Sequence, residues 1–112
     1  MECIFCKIVE GQLPSNKVYE DEEFLVFHDI NPVAPVHLLI IPKRHIPSVA
    51  DLSAQDTSLV GRMMLLTRRL ATEQGLDESG YRILTNHGRD GGQIVDHLHF
   101  HLLGGRKLGP IA

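Results

Sequence analysis

His97, His99 and His101 alternate with Leu98, Phe100 and Leu102 in one short apolar run. Side chains on a β-strand point to opposite faces with a period of two, so this spacing predicts three imidazoles on one face and three apolar groups on the other. The apolar face suits a core and the imidazole face suits chemistry. Neutral imidazole offers a nucleophilic or metal-binding nitrogen near pH 7, and a hydrogen bond to its second nitrogen orients it. An isolated histidine is most often a packed or surface residue, whereas three in strict alternation call for a shared reason. Directly upstream runs Asn86-His87-Gly88-Arg89-Asp90-Gly91-Gly92-Gln93, a polar loop with three glycines. Glycine permits positive φ and close approach of a ligand to the main chain, so backbone N–H groups here are suited to cradling phosphate oxygens. Cys3 and Cys6 make a second pattern, a C-x-x-C pair that in a reducing compartment suggests a metal or redox pair more than a structural disulfide.

These groups need a scaffold, and the chain of 112 residues suits one domain, 1–112, around one hydrophobic core. Ile4 to Glu10 reads as a short helix ended by Gly11, with Pro14 forbidding its continuation. Val18–Glu20 and Phe24–Asp29 read as a hairpin joined at Asp21-Glu22-Glu23. Val36–Ile41 is apolar and β-branched, a buried strand stopped by Pro42. Ser53 begins the long helix, with Asp56 three residues on in a capping-box arrangement. Leu59, Met63, Leu66 and Leu70 recur on one side of it, Arg62, Arg69 and Glu73 suit the other, and Gly75 closes it. The Met63-Met64-Leu65-Leu66 stripe is wider than one narrow face needs, which leaves part of it for a subunit contact. Tyr81–Thr85 and Val95–Leu103 complete the strands, and the order reads as α+β with a mainly antiparallel sheet.

The formal charge of −3 carries no footprint for nucleic acid, and Lys43-Arg44-His45 and the Arg68-Arg69 pair read as solvated surface. The N-terminus Met1-Glu2-Cys3 lacks a basic n-region and a long apolar stretch, so neither a secretory signal nor a membrane span is expected, and the cytoplasm is the expected compartment.

The segment Gly91-Gly92-Gln93-Ile94-Val95-Asp96-His97-Leu98-His99-Phe100-His101-Leu102-Leu103-Gly104-Gly105-Arg106 closely resembles the histidine triad motif of the Hint branch of nucleotide-binding proteins. The resemblance runs through Ile4-Phe5, Phe27-His28-Asp29-Ile30, Ala34-Pro35, His37, Ile41-Pro42-Lys43 and Gly80-Tyr81-Arg82. It implies a HIT-like fold: a five-stranded, mainly antiparallel sheet with one long and one short helix, extended across a homodimer. It also implies a purine nucleoside phosphoramidase that cleaves the P–N bond of adenosine or guanosine 5′-phosphoramidates, with related activity on aminoacyl adenylates.

Carried over by residue, the resemblance puts the nucleophile at His99, a phosphate-contacting imidazole at His101, and a supporting histidine at His37, with His97 completing the triad. Asp29 matches the carboxylate that holds the ribose hydroxyls. Ile4, Phe5, Ile8, Leu13, Phe27, His28 and Ile30 match positions around the base, and Asn86, Gly92, Gln93 and Val95 the surroundings of the phosphate and the triad. Neutral His99 would attack phosphorus, expel the amine and form a nucleotidyl-imidazole that water hydrolyses, while His101, if protonated, and backbone N–H groups stabilise the phosphoryl oxygens. Two positions depart from the pattern. Ile94 stands where the animal enzymes usually carry serine, and Asp96 where the family often has tyrosine; both bear on rate and leaving-group preference.

No cofactor is implied for catalysis. In zinc-bearing relatives the C-x-x-C pair joins a histidine after the Pro-Lys segment and the first triad histidine, which here gives Cys3, Cys6, His45 and His97. Two thiolates and two imidazoles complete a tetrahedral zinc without an open position, a structural metal at about one per subunit. Two other readings stay open on the sequence: a hydrolase whose three triad histidines ligate a catalytic zinc, and a non-catalytic regulatory protein that binds AMP or GMP in the same pocket.

Overall fold

The computed structural model describes residues 3–112; Met1 and Glu2, which entered the reading of the N-terminus, lie outside it. Helix α1 (Ile4–Val9) is followed by strands β1 (Lys17–Glu20), β2 (Phe24–His28) and β3 (Val36–Pro42), helix α2 (Thr57–Glu73), and strands β4 (Tyr81–Leu84) and β5 (Phe100–Gly104). Among the described residues the strands form one sheet in the order β1-β2-β3-β5-β4, every neighbouring pair antiparallel. The α+β expectation and the hairpin hold. Asp21 shapes the β1–β2 turn, its Oδ1 accepting the N–H groups of Glu23 and Phe24 at 2.7 Å each, as a short carboxylate does in a tight turn.

The Ser53 capping box is present, with the Ser53 N–H donating to Asp56 Oδ2 at 2.9 Å. It caps a 3₁₀ turn, Ala54–Asp56, and regular α-helix starts only at Thr57. Met63, Leu66 and Leu70 are buried, while Leu59 is only half-buried and Met64 and Leu65 are exposed.

One expectation needs correction. The last strand begins at Phe100, not Val95, so His97 and His99 stand on an irregular lead-in and only His101 on the strand itself. The reason lies in the backbone partners of the lead-in. The Leu98 N–H donates to Ile46 O at 2.6 Å, the His97 N–H turns back to Val95 O at 2.9 Å, and His99 O accepts from Thr85 Oγ1 at 2.8 Å. Loops and side chains thus satisfy groups that a sheet ladder would otherwise take up.

Alternation along the strands divides the core in two. Leu38 and Ile40 of β3 join Phe24, Val26, Leu98, Phe100 and Leu102 against Met63, Leu66 and Leu70 of α2. Leu39 and Ile41 point the other way and join Leu25 and Phe27 beneath Phe5 and Ile8 of α1. With both faces covered, β3 reads from Leu38 to Ile41 as an unbroken apolar run instead of an alternating one. The α1 face is the one that receives the imidazoles, because Leu98, Phe100 and Leu102 occupy the α2 face.

Candidate functional site

His37 on β3 lies opposite Leu103 on β5, and His101 lies opposite Leu39, so the two imidazoles meet across the ladder. His37 Nε2 and His101 Nδ1 are 2.9 Å apart. The Val33 N–H donates to His37 Nδ1 at 3.1 Å. A neutral His37 therefore carries its proton on Nε2 and donates it to His101 Nδ1, which places the proton of a neutral His101 on Nε2. Asp29 Oδ2 stands 3.3 Å from the same His37 Nε2, and Asp29 Oδ1 accepts the Asn31 N–H at 2.8 Å. Asp29, His37 and His101 make one connected polar group.

His99 is oriented separately. Its Nδ1 donates to the carbonyl of His97 at 2.6 Å, which leaves Nε2 as a free lone pair. Its ring sits edge-on to Phe5 at 5.1 Å and beside His101 at 4.9 Å between centroids. Burial holds His99 and His37 below the ordinary imidazole range, and burial together with the His99 and His37 imidazoles takes His101 down to about 4. His99 is thus neutral near pH 7, with the lone pair a nucleophile needs. His101 is neutral as well, so any contact with a phosphoryl oxygen comes from a neutral N–H, in place of the imidazolium that the conditional expectation allowed.

His97 turns away from this pair. Its Nε2 donates to Pro42 O at 2.7 Å, which leaves Nδ1 unprotonated and facing Cys3 Sγ at 3.4 Å, Cys6 Sγ at 3.6 Å and His45 Nδ1 at 3.3 Å. Cys6 Sγ is 3.3 Å from His45 Nδ1, and the four ligand atoms lie within 4.8 Å of one another. With Zn–S near 2.3 Å and Zn–N near 2.05 Å, a tetrahedral zinc has S···N edges of about 3.6 Å and N···N edges of about 3.3 Å. The donor spacing fits that figure, and the Pro42 carbonyl supplies the outer hydrogen bond that ligating imidazoles normally have. Burial and the adjacent Cys3 push the Cys6 thiol up to about 11, so thiolate ligands there require the charge of a cation.

The three triad imidazoles do not form a metal-ligating set among the described residues. A second candidate group, Asp29, His37 and His101, exists, but the Val33 N–H on His37 Nδ1 keeps the proton on the very nitrogen that would have to bind. This geometry removes the catalytic-zinc reading.

The residues expected around a base divide. Phe5, Ile8 and Phe27 are buried in the α1-side core, with Phe5 and Phe27 edge-to-face at 5.4 Å. Ile4, Leu13, His28 and Ile30 are exposed, Ile30 at 90%. In the upstream loop Asn86 Nδ2 donates to Gly91 O at 2.6 Å, Gly92 adopts φ 79°, and Ile94 is 93% exposed. Among the described residues, the N–H groups of Ile94 and Val95 have no protein acceptor. Sequence reasoning missed two groups that orient imidazoles, the Val33 N–H and the Pro42 carbonyl, and the Thr85 hydroxyl that holds the His99 carbonyl. The first two are backbone atoms, which residue type does not reveal.

A family model described as HIT domain matches residues 10–108. The chain is 48% identical over 110 residues to the purine nucleoside phosphoramidase of Escherichia coli K12, covering 98% of this chain and 92% of that protein. It is 49% identical over its whole length to an uncharacterized HIT-like protein of Chlamydia muridarum, covering 88% of that protein. Among solved structures, a HIT family hydrolase from Legionella pneumophila superposes with a TM-score of 0.95 at 46% identity, covering 96% of each chain. A histidine triad protein from Clostridium difficile gives 0.94 at 46% identity, covering 100% of this chain and 97% of that one. The chain belongs to the HIT family.

Proposed function

We propose that this HIT-family hydrolase cleaves the P–N bond of purine nucleoside 5′-phosphoramidates, with His99 as nucleophile. The observation that carries the reading is the 2.6 Å bond from His99 Nδ1 to the His97 carbonyl, which leaves a buried, neutral Nε2 beside a donor on His101. Near full-length identity to a curated phosphoramidase supports the substrate class.

In the first step the His99 Nε2 lone pair forms a bond to phosphorus as the P–N bond breaks, and the amine leaves with a proton taken from solvent water. In the second, water attacks phosphorus, the P–imidazole bond breaks, one proton returns to solvent, and the nucleoside monophosphate and neutral His99 are released. The His101 Nε2–H and the N–H groups of Ile94 and Val95 hold the phosphoryl oxygens, and Asp29 accepts from the ribose hydroxyls. Cys3, Cys6, His45 and His97 hold a structural zinc that fastens α1 to the lead-in of β5, and no step passes through it. The reading takes 1–112 as one domain acting in the cytoplasm. Among the described residues no helix is long and apolar enough to cross a membrane. We further propose a homodimer, supported by the open edge of β4 and by the exposed Met64 on α2.

The test is release of AMP from adenosine 5′-phosphoramidate, with and without chelator, beside His99→Ala. Release that survives chelation and vanishes in the variant is expected. Unchanged turnover by the variant would refute the mechanism, and AMP binding without turnover would favour the regulatory reading.

A further inference from the structure

The side-chain amide of Gln93 is completely engaged within the protein. Its Oε1 accepts the Gly88 N–H at 3.1 Å. Its Nε2 donates to Pro47 O at 2.8 Å and to Val95 O at 3.0 Å. The Gln93 N–H in turn donates to Gly88 O at 3.0 Å. Both amide hydrogens thus have acceptors, and nothing on this side chain is left to donate to a phosphate.

Those partners lie on three separate stretches: the start of the glycine loop, its exit at Val95, and the segment after His45. The loop is also closed tightly on itself, since a Cβ at Gly91 would lie 2.2 Å from His87 O. A second tie joins the same two segments, with Ser48 Oγ 2.7 Å from His87 Nδ1. A third runs from the Leu98 N–H to Ile46 O at 2.6 Å. The N–H groups of Ile94 and Val95 follow Gln93 directly, so the bonds that hold Gln93 also set the direction in which those two donors point.

We infer that Gln93 is a positioning residue and not a phosphate ligand: its amide locks residues 88–95 into the shape that presents the Ile94 and Val95 N–H groups and ties that loop to the segment bearing His45. The inference rests on the nucleotide reading for the identity of the bound group. Gln93, which the motif places in the surroundings of the phosphate and the triad, thus acts on the loop and not on the phosphate. Because a preorganised donor pair needs no ordering when the anion arrives, its loss appears as weaker binding.

The experiment uses the metal-loaded protein and two variants, Gln93→Ala and Gln93→Glu. Glutamate keeps the size and the acceptor for the Gly88 N–H but sets an oxygen against the Pro47 and Val95 carbonyls, so it remains informative if the alanine variant folds poorly. Amide hydrogen exchange of residues 88–95 is measured without ligand, alongside affinity for AMP and for adenosine and the steady-state constants for adenosine 5′-phosphoramidate. The expected result is faster exchange in the ligand-free loop, AMP affinity weakened roughly tenfold, adenosine affinity unchanged, and kcat/KM reduced mainly through KM. Unchanged ligand-free exchange with lost AMP affinity would make Gln93 a direct ligand and overturn the inference. Loss of kcat at unchanged KM, as from a smaller folded fraction, would overturn it too. Failure of the wild-type protein to bind AMP would strike the nucleotide reading itself, which the ligand-free exchange does not depend on.

Discussion

The carbonyl of His97 accepts the Nδ1 proton of His99 at 2.6 Å, while the His97 imidazole faces Cys3, Cys6 and His45. One residue thus orients the free imidazole of its neighbour through its backbone and joins a donor cluster through its side chain. Whatever holds the His97 ring also holds the carbonyl that selects the His99 tautomer.

Removing the His99 imidazole should abolish turnover with little effect on folding. His99→Ala is expected to lower kcat by at least about a thousandfold, since a nucleophile's loss leaves only binding and electrostatic effects. AMP affinity, measured by calorimetry, should stay within a few-fold of wild type. In the wild-type protein, alkaline quenching during turnover should trap a nucleotide on His99, because a phosphorus–imidazole bond survives base and is hydrolysed in acid.

Acid should destabilise the fold before any carboxylate titrates. Burial keeps His37 below its ordinary range and His101 at about 4, so the unfolded chain takes up protons first as pH falls through about 6.5. Where the unfolded state binds more protons, stability rises with pH and is lost as the pH drops. Stability is therefore complete above about 6.5 and declines between there and about 4. Urea unfolding at pH 7.5 and 5 checks this, and equal midpoints would contradict it.

Metal removal should act on stability more than on chemistry. The purified protein is expected to carry about one zinc per chain, and chelation should lower Tm by several degrees, because a ligand bound only to the native state stabilises it by mass action. Cys6→Ser and His45→Ala should each lower the zinc content. A metal-free preparation with an unchanged Tm would refute the assignment.

Gly105→Ala should destabilise the protein by about 1–3 kcal/mol, the cost of holding a non-glycine residue in a strained backbone region. Gly105 has φ 94°, and an added Cβ would lie 2.8 Å from Pro35 Cβ. Thermal denaturation measures the loss. Because Pro35 leads into the strand that carries His37, a secondary drop in kcat/KM is expected.

The strands and the long helix were legible from their apolar residues: short apolar runs in Phe24–Phe27 and Leu38–Ile41, buried throughout, and the Met63, Leu66, Leu70 stripe in α2. The capping box was legible at Ser53 and Asp56, although the 3₁₀ turn it begins was not, since one hydrogen bond per residue fits either helix type at such an end. The lead-in before Phe100 was misread because alternation specifies where side chains point and not where the backbone finds its hydrogen bonds.

By itself the sequence determined which side chains were available: imidazoles at alternate positions, a cysteine pair, a glycine loop, and apolar residues enough to bury both faces of β3. Side-chain type and local period are properties of the chain alone. Only the tertiary structure decided that His97 turns to the cysteines while His99 and His101 face Phe5 and His37, that the Val33 N–H and the Pro42 carbonyl set tautomers, and that Gln93 is held by Pro47. Those contacts span up to 94 positions of sequence, between Cys3 and His97, and several are made by backbone atoms that every residue carries, so packing alone could select them.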